Sequence, residues 1–214
     1  MNHLIMPSPR PVDGGPSADL LPLLRADLRA AMNGIAAKAI RESGMGYRLA
    51  YGIELPRLRE IAAGYTADRR LALELWQEDV RECRLLAIML FPAGEFDTDM
   101  ADLWVSSLRP EQTELAQLLS MDLLSRQPYA AELSFRWMAD ERPVQQLCGF
   151  LVLGRLLMNG AELAPDAAEE FLDQAAATLP TASLPLRKAI QNALLRYGES
   201  SPEAARRVDC ILAS

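Results

Sequence analysis

Apolar residues recur every three or four positions along most of this chain, which is the spacing of one face of an α-helix. Leu20, Leu24 and Leu28 begin the pattern, and Gly34 is placed to close the first helix. A further helix is predicted within residues 51–62, with Pro56 in its first turn. The other predicted helices lie at residues 71–76, 80–91, 97–108, 113–126, 129–138, 143–159, 166–178, 184–197 and 202–213. No segment alternates apolar and polar residues with β-branched enrichment, so the predicted class is all-α.

About a dozen helices with short connections fit two architectures. They form either a compact bundle or a curved α-solenoid of antiparallel helix pairs, in which each pair buries its apolar face against its neighbours. Junctions that recur at roughly 35 to 45 residues per pair favour the solenoid. The concave face of a solenoid is then the expected binding surface.

The first sixteen residues follow a different pattern. They contain four prolines and two glycines, a composition that interrupts helices and strands alike. We predict a disordered leader at residues 1–16 and a single domain over residues 17–214.

The overall composition excludes several classes of function. The single histidine, His3, lies near the start of the chain, which argues against a histidine-ligated metal site or a serine-histidine triad. No cofactor-binding motif is present, so neither a metal nor a cofactor is predicted. No apolar run reaches the length of a membrane span. Three widely spaced cysteines suit reduced thiols, which favours a cytoplasmic location.

The charge balance argues against an extended nucleic-acid surface. The 29 acidic and 22 basic residues give a net charge of -7, and neither half of the chain is basic. Proteins that bind nucleic acid usually present a basic face to the phosphates. Overall charge says little about one local groove, however, and Arg155, Lys188 and Arg196 are candidates for a positive groove.

Tryptophan and cysteine side chains have both functional and structural interpretations. Trp76, Trp104 and Trp137 could stack on unpaired bases, but each follows the apolar side of its helix, so packing is the prediction. Cys83 and Cys148 lie in apolar segments and are predicted to be buried.

Three stretches resemble the bacterial DNA alkylation repair family, the HEAT-like α-solenoid glycosylases that excise alkylated purines. They are YGIELPRLREIA at 51–62, LALELWQEDVRECRLLAIML at 71–90 and LRKAIQNALLRYGESSPEAARRV at 186–208. The resemblance covers most of the chain after residue 45. It implies an α-solenoid of HEAT-like antiparallel helix pairs, with double-stranded DNA as the partner.

The residues that carry the chemistry of this family differ here. The family places a tryptophan four residues before an aspartate on one helical face; the corresponding positions in TELAQLLSMDLLSR resemble Ala116 and Ser120. Asp122 is the nearest candidate for a catalytic carboxylate. It lies roughly 200° around an ideal helix from Ser120, so it reaches the same cleft only if the register changes.

The other cleft positions of the family are partly retained. Its arginine corresponds to Gln146, its late tryptophan to Asn192, and its lysine is kept as Lys188. Its last arginine corresponds to Leu195, with Arg196 one position further on.

Three functions are consistent with these residues. The chain is a glycosylase with replaced catalytic groups, a non-catalytic relative that binds nucleic acid or another anion, or a protein-interaction scaffold with no nucleic-acid role. The expectation we carry forward is a divergent, non-catalytic DNA alkylation repair-like HEAT-repeat protein that binds through its concave face. The scaffold is kept as the alternative.

Overall fold

A computed structural model describes residues 20–213, and the predicted leader at 1–16 lies outside these residues. The described residues are mainly helical. Its helices are α1 (Leu20–Ala30), α2 (Gly34–Glu42), α3 (Leu55–Ala62), α4 (Arg69–Gln77), α5 (Arg81–Leu90), α6 (Thr98–Ser106), α7 (Thr113–Leu118), α8 (Ala130–Met138), α9 (Pro143–Met158), α10 (Pro165–Thr178), α11 (Leu184–Gly198) and α12 (Pro202–Ala213). Within residues 20–213 no β-strand forms, which confirms the all-α prediction.

The sequence prediction missed α2. Gly34 was expected to end the first helix, but it is the first residue of the second. The side chain of Asn33 accepts hydrogen bonds from the backbone N–H groups of Ile35 and Ala36, at 3.2 Å each. Since such a cap satisfies amides at the start of a helix, Asn33 fixes the beginning of α2.

The predicted helix at 113–126 is helical but not uniform. It consists of α7, a π turn at Leu119–Leu123 and a 3₁₀ turn at Leu124–Arg126. The Ser125 hydroxyl donates to the carbonyl of Met121 at 3.0 Å, and the Gln127 amide donates to the carbonyl of Leu123 at 3.1 Å. These side chains bond to carbonyl groups within the irregular turns. A π turn inside a helix is a local departure that often accompanies a functional site.

The chain divides into two compact units, the first ending at Phe96 and the second beginning at Asp97. The first unit contains α1 to α5 and the second contains α6 to α12. The prediction of one domain over residues 17–214 stays a prediction.

The first unit is organised around a buried ion pair. Arg81 and Glu82 open α5, and the Glu82 side chain has no exposed surface. Its carboxylate accepts the backbone N–H groups of Tyr51, Gly52 and Ile53 at 2.8, 3.0 and 3.3 Å. Arg81 donates to Glu82 at 2.8 Å and to the Ile53 carbonyl at 2.9 Å. We call these five residues the buried charge cluster.

Gly52 is required where this cluster meets α2. Its φ is +74°, and a Cβ there would lie 2.3 Å from the backbone nitrogen of Ala37. Only glycine combines that left-handed backbone with so close an approach.

The second unit is built around α9, which packs against α6, α7, α8 and α11. Two glycines permit the close packing. A Cβ on Gly149 would lie 2.8 Å from backbone atoms of α8, whereas a Cβ on Gly154 would lie 3.5 Å from Ala193 in α11. There is therefore no room for a methyl group on Gly149, whereas a methyl group on Gly154 would make ordinary van der Waals contacts.

The tryptophans and two of the cysteines are buried, as predicted. Trp137 also donates its indole N–H to Asp102 at 2.8 Å. Burial raises the pKa of Cys83 and of Cys148 to about 12, so both thiols stay protonated at neutral pH. Among residues 20–213, no helix has both the length and the apolar character that crossing a membrane requires.

Candidate functional site

A groove in the second unit is lined by the turns and helices that surround α9. It encloses about 600 Å³, within the range of small-ligand sites. We call it the α7–α9–α11 groove. The residues that line it are Thr113, Gln117, Met121, Leu151, Gly154, Arg155, Met158, Leu184, Pro185, Lys188, Ala189 and Asn192.

The wall from α7 and the π turn exposes a different face from the one the family resemblance implied. Gln117 and Met121 line the groove, whereas Ala116 and Ser120 are buried in the core. The two pairs have the same spacing of four and differ by one position. The turn between residues 119 and 123 has hydrogen bonds that span five residues, so the chain rotates less per residue there. Positions four apart share one face of a helix, and Gln117 and Met121 both line the groove.

The opposite walls bring Arg155 and Lys188 to the same groove. Arg155 follows Gly154 in α9, and Lys188 lies four residues before Asn192 in α11. A Cβ on Gly154 would lie 3.5 Å from Ala193 and 3.6 Å from the Asn192 side chain, so α9 and α11 pack closely at this point. Two cationic side chains from different helices therefore line the same groove. Of the predicted positions, the groove thus unites Arg155, Lys188 and Asn192.

Neither groove cation is neutralised within the described residues. Lys188 is exposed, and among residues 20–213 its side chain makes no salt bridge or hydrogen bond. Arg155 has only a 3.8 Å contact from Nη1 to the Met158 sulfur, and its Nε is buried without a hydrogen-bond partner. Both side chains therefore keep donors available for a ligand in the groove.

Several other arginines of the second unit are tied to carboxylates. Arg136 contacts Asp102 at 2.5 Å, and Arg207 contacts Glu169 at 2.5 Å. Arg142 contacts Asp140 at 2.7 Å and, through that hydrogen bond, lowers the pKa of Asp140 to about 2. Within the described residues these three arginines are paired with carboxylates, whereas the two groove cations are not.

The composition of the groove determines what chemistry it supports. Its lining contains two cations, two side-chain amides and a hydroxyl, but neither a carboxylate nor an aromatic ring. Cationic and amide donors bind anions such as phosphate. Cleavage of a glycosidic bond develops positive charge on the sugar, and enzymes stabilise that charge with a carboxylate. The groove therefore has the electrostatics of an anion site.

The remaining predicted residues lie elsewhere in the second unit. Gln146 lines a separate cavity of about 420 Å³ with Glu141 and Ser183. Arg196 lines another cavity with Glu162, and it contacts Glu199 at 2.9 Å. Asp122 lies half-buried in the π turn and does not line the α7–α9–α11 groove. Its catalytic role stays a prediction.

Within residues 20–213, no group of three or more histidine, cysteine, aspartate or glutamate side chains is arranged to hold a metal ion. The groove donors are cationic or neutral, and they suit an anionic ligand.

A solved structure has a helical fold similar to that of this chain. That structure is described as "a new family of proteins related to the HEAT-like repeat DNA glycosylases with affinity for branched DNA structures". The TM-score is 0.76 at 16% sequence identity, and the match covers 89% of this chain and 80% of the other. The likeness establishes an all-helical HEAT-like fold, as the sequence predicted.

The family itself follows from the sequence. The family model described as DNA alkylation repair enzyme matches residues 24–207, and the chain belongs to that family. The resemblance noted in the sequence is thereby confirmed. No curated protein matches the chain.

Proposed function

We propose that this member of the DNA alkylation repair family binds DNA phosphates through the α7–α9–α11 groove and does not cleave glycosidic bonds. One observation carries the proposal: Arg155 and Lys188 share a groove lined by no carboxylate, in a chain with a net charge of -7. A local positive groove in an acidic protein attracts a phosphate at that place and repels it elsewhere.

The same residues argue against catalysis. A glycosylase must stabilise positive charge that develops on the sugar, and a single well-placed group of this kind contributes about 3 to 4 kcal/mol. The groove offers two cations instead, and these oppose that charge. Gln117 and Met121, which occupy the wall nearest to the family's tryptophan and aspartate positions, supply neither an aromatic ring nor a carboxylate.

The solved structure with a similar fold supports one form of DNA as the ligand. It belongs to proteins with affinity for branched DNA, and this chain shares its fold. We therefore propose branched DNA as the preferred ligand, with contacts mainly to the backbone. Backbone contacts carry no sequence information, so binding is expected to depend on the shape of the DNA and not on its sequence.

The test is a fluorescence-anisotropy titration of the full chain against duplex, methylated duplex and four-way-junction DNA at two salt concentrations. We expect the tightest binding for the junction, equal binding of the two duplexes, and a clear loss of affinity as salt rises. A parallel assay measures release of alkylated bases from methylated DNA at large protein excess, and we expect no release.

Two results would overturn the proposal. Absence of binding to every DNA at low salt would remove the DNA-binding function and leave the protein-scaffold alternative. Release of alkylated bases would show that another group supplies the carboxylate, and the Asp122→Asn variant would then identify whether Asp122 is that group.

A further inference from the structure

Three large apolar side chains stand at the edge of the α7–α9–α11 groove. Met121, Met158 and Leu184 are 40%, 44% and 65% exposed, and each comes from a different wall. We call them the apolar rim. The π turn presents Met121, the last residue of α9 is Met158, and the first residue of α11 is Leu184.

An apolar rim is unnecessary for binding a phosphate backbone. Exposed apolar side chains contribute no affinity to a charged, hydrated strand, and leaving them exposed costs free energy when the groove is empty. Proteins that kink or part DNA commonly place methionine, leucine or proline against unstacked bases. The apolar rim therefore suits the uncharged base of a nucleotide, whereas the groove cations suit its phosphate.

We propose that the apolar rim holds an unpaired nucleobase, while Arg155 and Lys188 bind the phosphates that flank it. This inference rests on the proposed DNA-binding function. It specifies the preferred ligand as DNA that contains an unstacked nucleotide, as found at a branch point or bulge.

Charge and chemistry together favour this occupant over a protein helix or a lipid. Two unneutralised cations beside three apolar side chains match an anionic backbone that carries an uncharged ring. Asn192 and Gln117 line the same groove, and their side-chain amides can each donate and accept hydrogen bonds at the edge of a base. A base in a duplex has its faces covered by its neighbours, so only an unpaired base offers a face to the apolar rim.

The experiment compares two double variants, each of which replaces two exposed apolar side chains by glutamine. The rim variant is Met158→Gln with Leu184→Gln. The control is Leu103→Gln with Leu212→Gln, which replaces leucines that are 62% and 37% exposed in the same unit but do not line the groove. Glutamine keeps a similar size and a good helix propensity, so both variants are expected to fold.

The measurement is affinity for a duplex with a bulge of unpaired nucleotides relative to the same duplex without the bulge. A 2-aminopurine in the bulge reports on the surroundings of the unpaired base. We expect the wild type and the control to prefer the bulge and to change the fluorescence of 2-aminopurine. The rim variant should lose about fivefold or more of that preference while it keeps its affinity for the plain duplex.

Three outcomes contradict the inference, and they differ in what remains. Equal binding of plain and bulged duplex by the wild type overturns it and leaves phosphate binding intact. The same preference in the rim variant and the control shows that the apolar rim does not contact the base. No binding of either DNA by the wild type overturns the proposed function as well.

Discussion

The buried charge cluster of the first unit and the cations of the groove in the second unit differ in what surrounds them. Glu82 is fully buried and accepts three backbone N–H groups as well as the Arg81 guanidinium. Lys188 is exposed, and among residues 20–213 the one polar contact of the Arg155 side chain is with the sulfur of Met158. The charges of the buried charge cluster have their partners within the protein, whereas the groove cations remain available to a ligand.

This difference separates charges that hold the fold from charges that serve a ligand. A buried ion is costly unless partners replace its hydration, so Glu82 is surrounded by donors and its position is fixed by folding. An exposed cation without a counter-ion contributes little to folding. Substitutions in the buried charge cluster are therefore expected to lower stability. Substitutions of the groove cations are expected to weaken binding and to leave stability almost unchanged.

The largest effect is expected at the buried charge cluster. Glu82→Gln leaves the Arg81 charge without a counter-charge and weakens the hold on residues 51–53, and it should cost about 3 to 5 kcal/mol of unfolding free energy. The exposed pair Arg57–Glu60 provides a control, because Glu60→Gln should cost under about 0.5 kcal/mol. Urea denaturation followed by circular dichroism measures both, and a small loss for Glu82→Gln would show that the buried charge cluster is not structural.

Substitutions of the two glycines of α9 are expected to have an intermediate effect on stability. Gly149→Ala forces a methyl group to within 2.8 Å of the α8 backbone, and we expect a loss of about 1 to 3 kcal/mol. Gly154→Ala makes only ordinary contacts at 3.5 Å and should leave stability unchanged or slightly higher. Melting temperatures of the two variants test this order, and equal temperatures would contradict the close packing of α8 on α9.

A smaller effect depends on pH. The hydrogen bond from Arg142 lowers the pKa of Asp140 to about 2 in the folded protein, below the value of about 4 expected when unfolded. The ionised carboxylate therefore stabilises the fold above about pH 4, and this contribution is lost as the pH falls toward 2. Because Arg142 is more than half exposed, the contribution is under about 1 kcal/mol.

Asp140→Asn should accordingly lower the melting temperature slightly at neutral pH and not at pH near 2. A difference that persists unchanged at low pH would mean that the ion pair is not its cause.

The smallest effect on stability is expected in the groove. The double variant Arg155→Ala with Lys188→Ala removes no salt bridge among residues 20–213, so the unfolding free energy should change by less than about 0.5 kcal/mol. A large loss measured by the same denaturation would show that these cations hold the fold after all.

The sequence predicted the helices well because their apolar period and their proline and glycine junctions are local signals. It missed α2, since Gly34 was taken as the end of α1, and the cap that Asn33 provides was not considered. It treated residues 113–126 as one uniform helix, because a π turn leaves no distinct pattern of residue types.

The site was partly predictable for the same reason. Lys188 and Asn192 came from the family resemblance, and Arg155 from its charge. Gln117 and Met121 were missed because the resemblance pointed to Ala116 and Ser120, one position away. The polar spacing of Thr113 and Gln117 marked the exposed face, and that signal could have corrected the register. The apolar rim required the structure, since periodicity does not show which methionines and leucines stay exposed.

The most direct test of the central claim is the salt dependence of DNA binding by the wild type and by the Arg155→Ala with Lys188→Ala variant. Lys38→Ala with Arg207→Ala is the control, because it removes the same charge from side chains paired with Glu42 and Glu169. Removing two phosphate contacts should weaken binding and flatten the slope of log affinity against log salt by about 1.8. The control should keep the wild-type slope. An unchanged slope and affinity in the groove variant would contradict the claim that the α7–α9–α11 groove is where DNA binds.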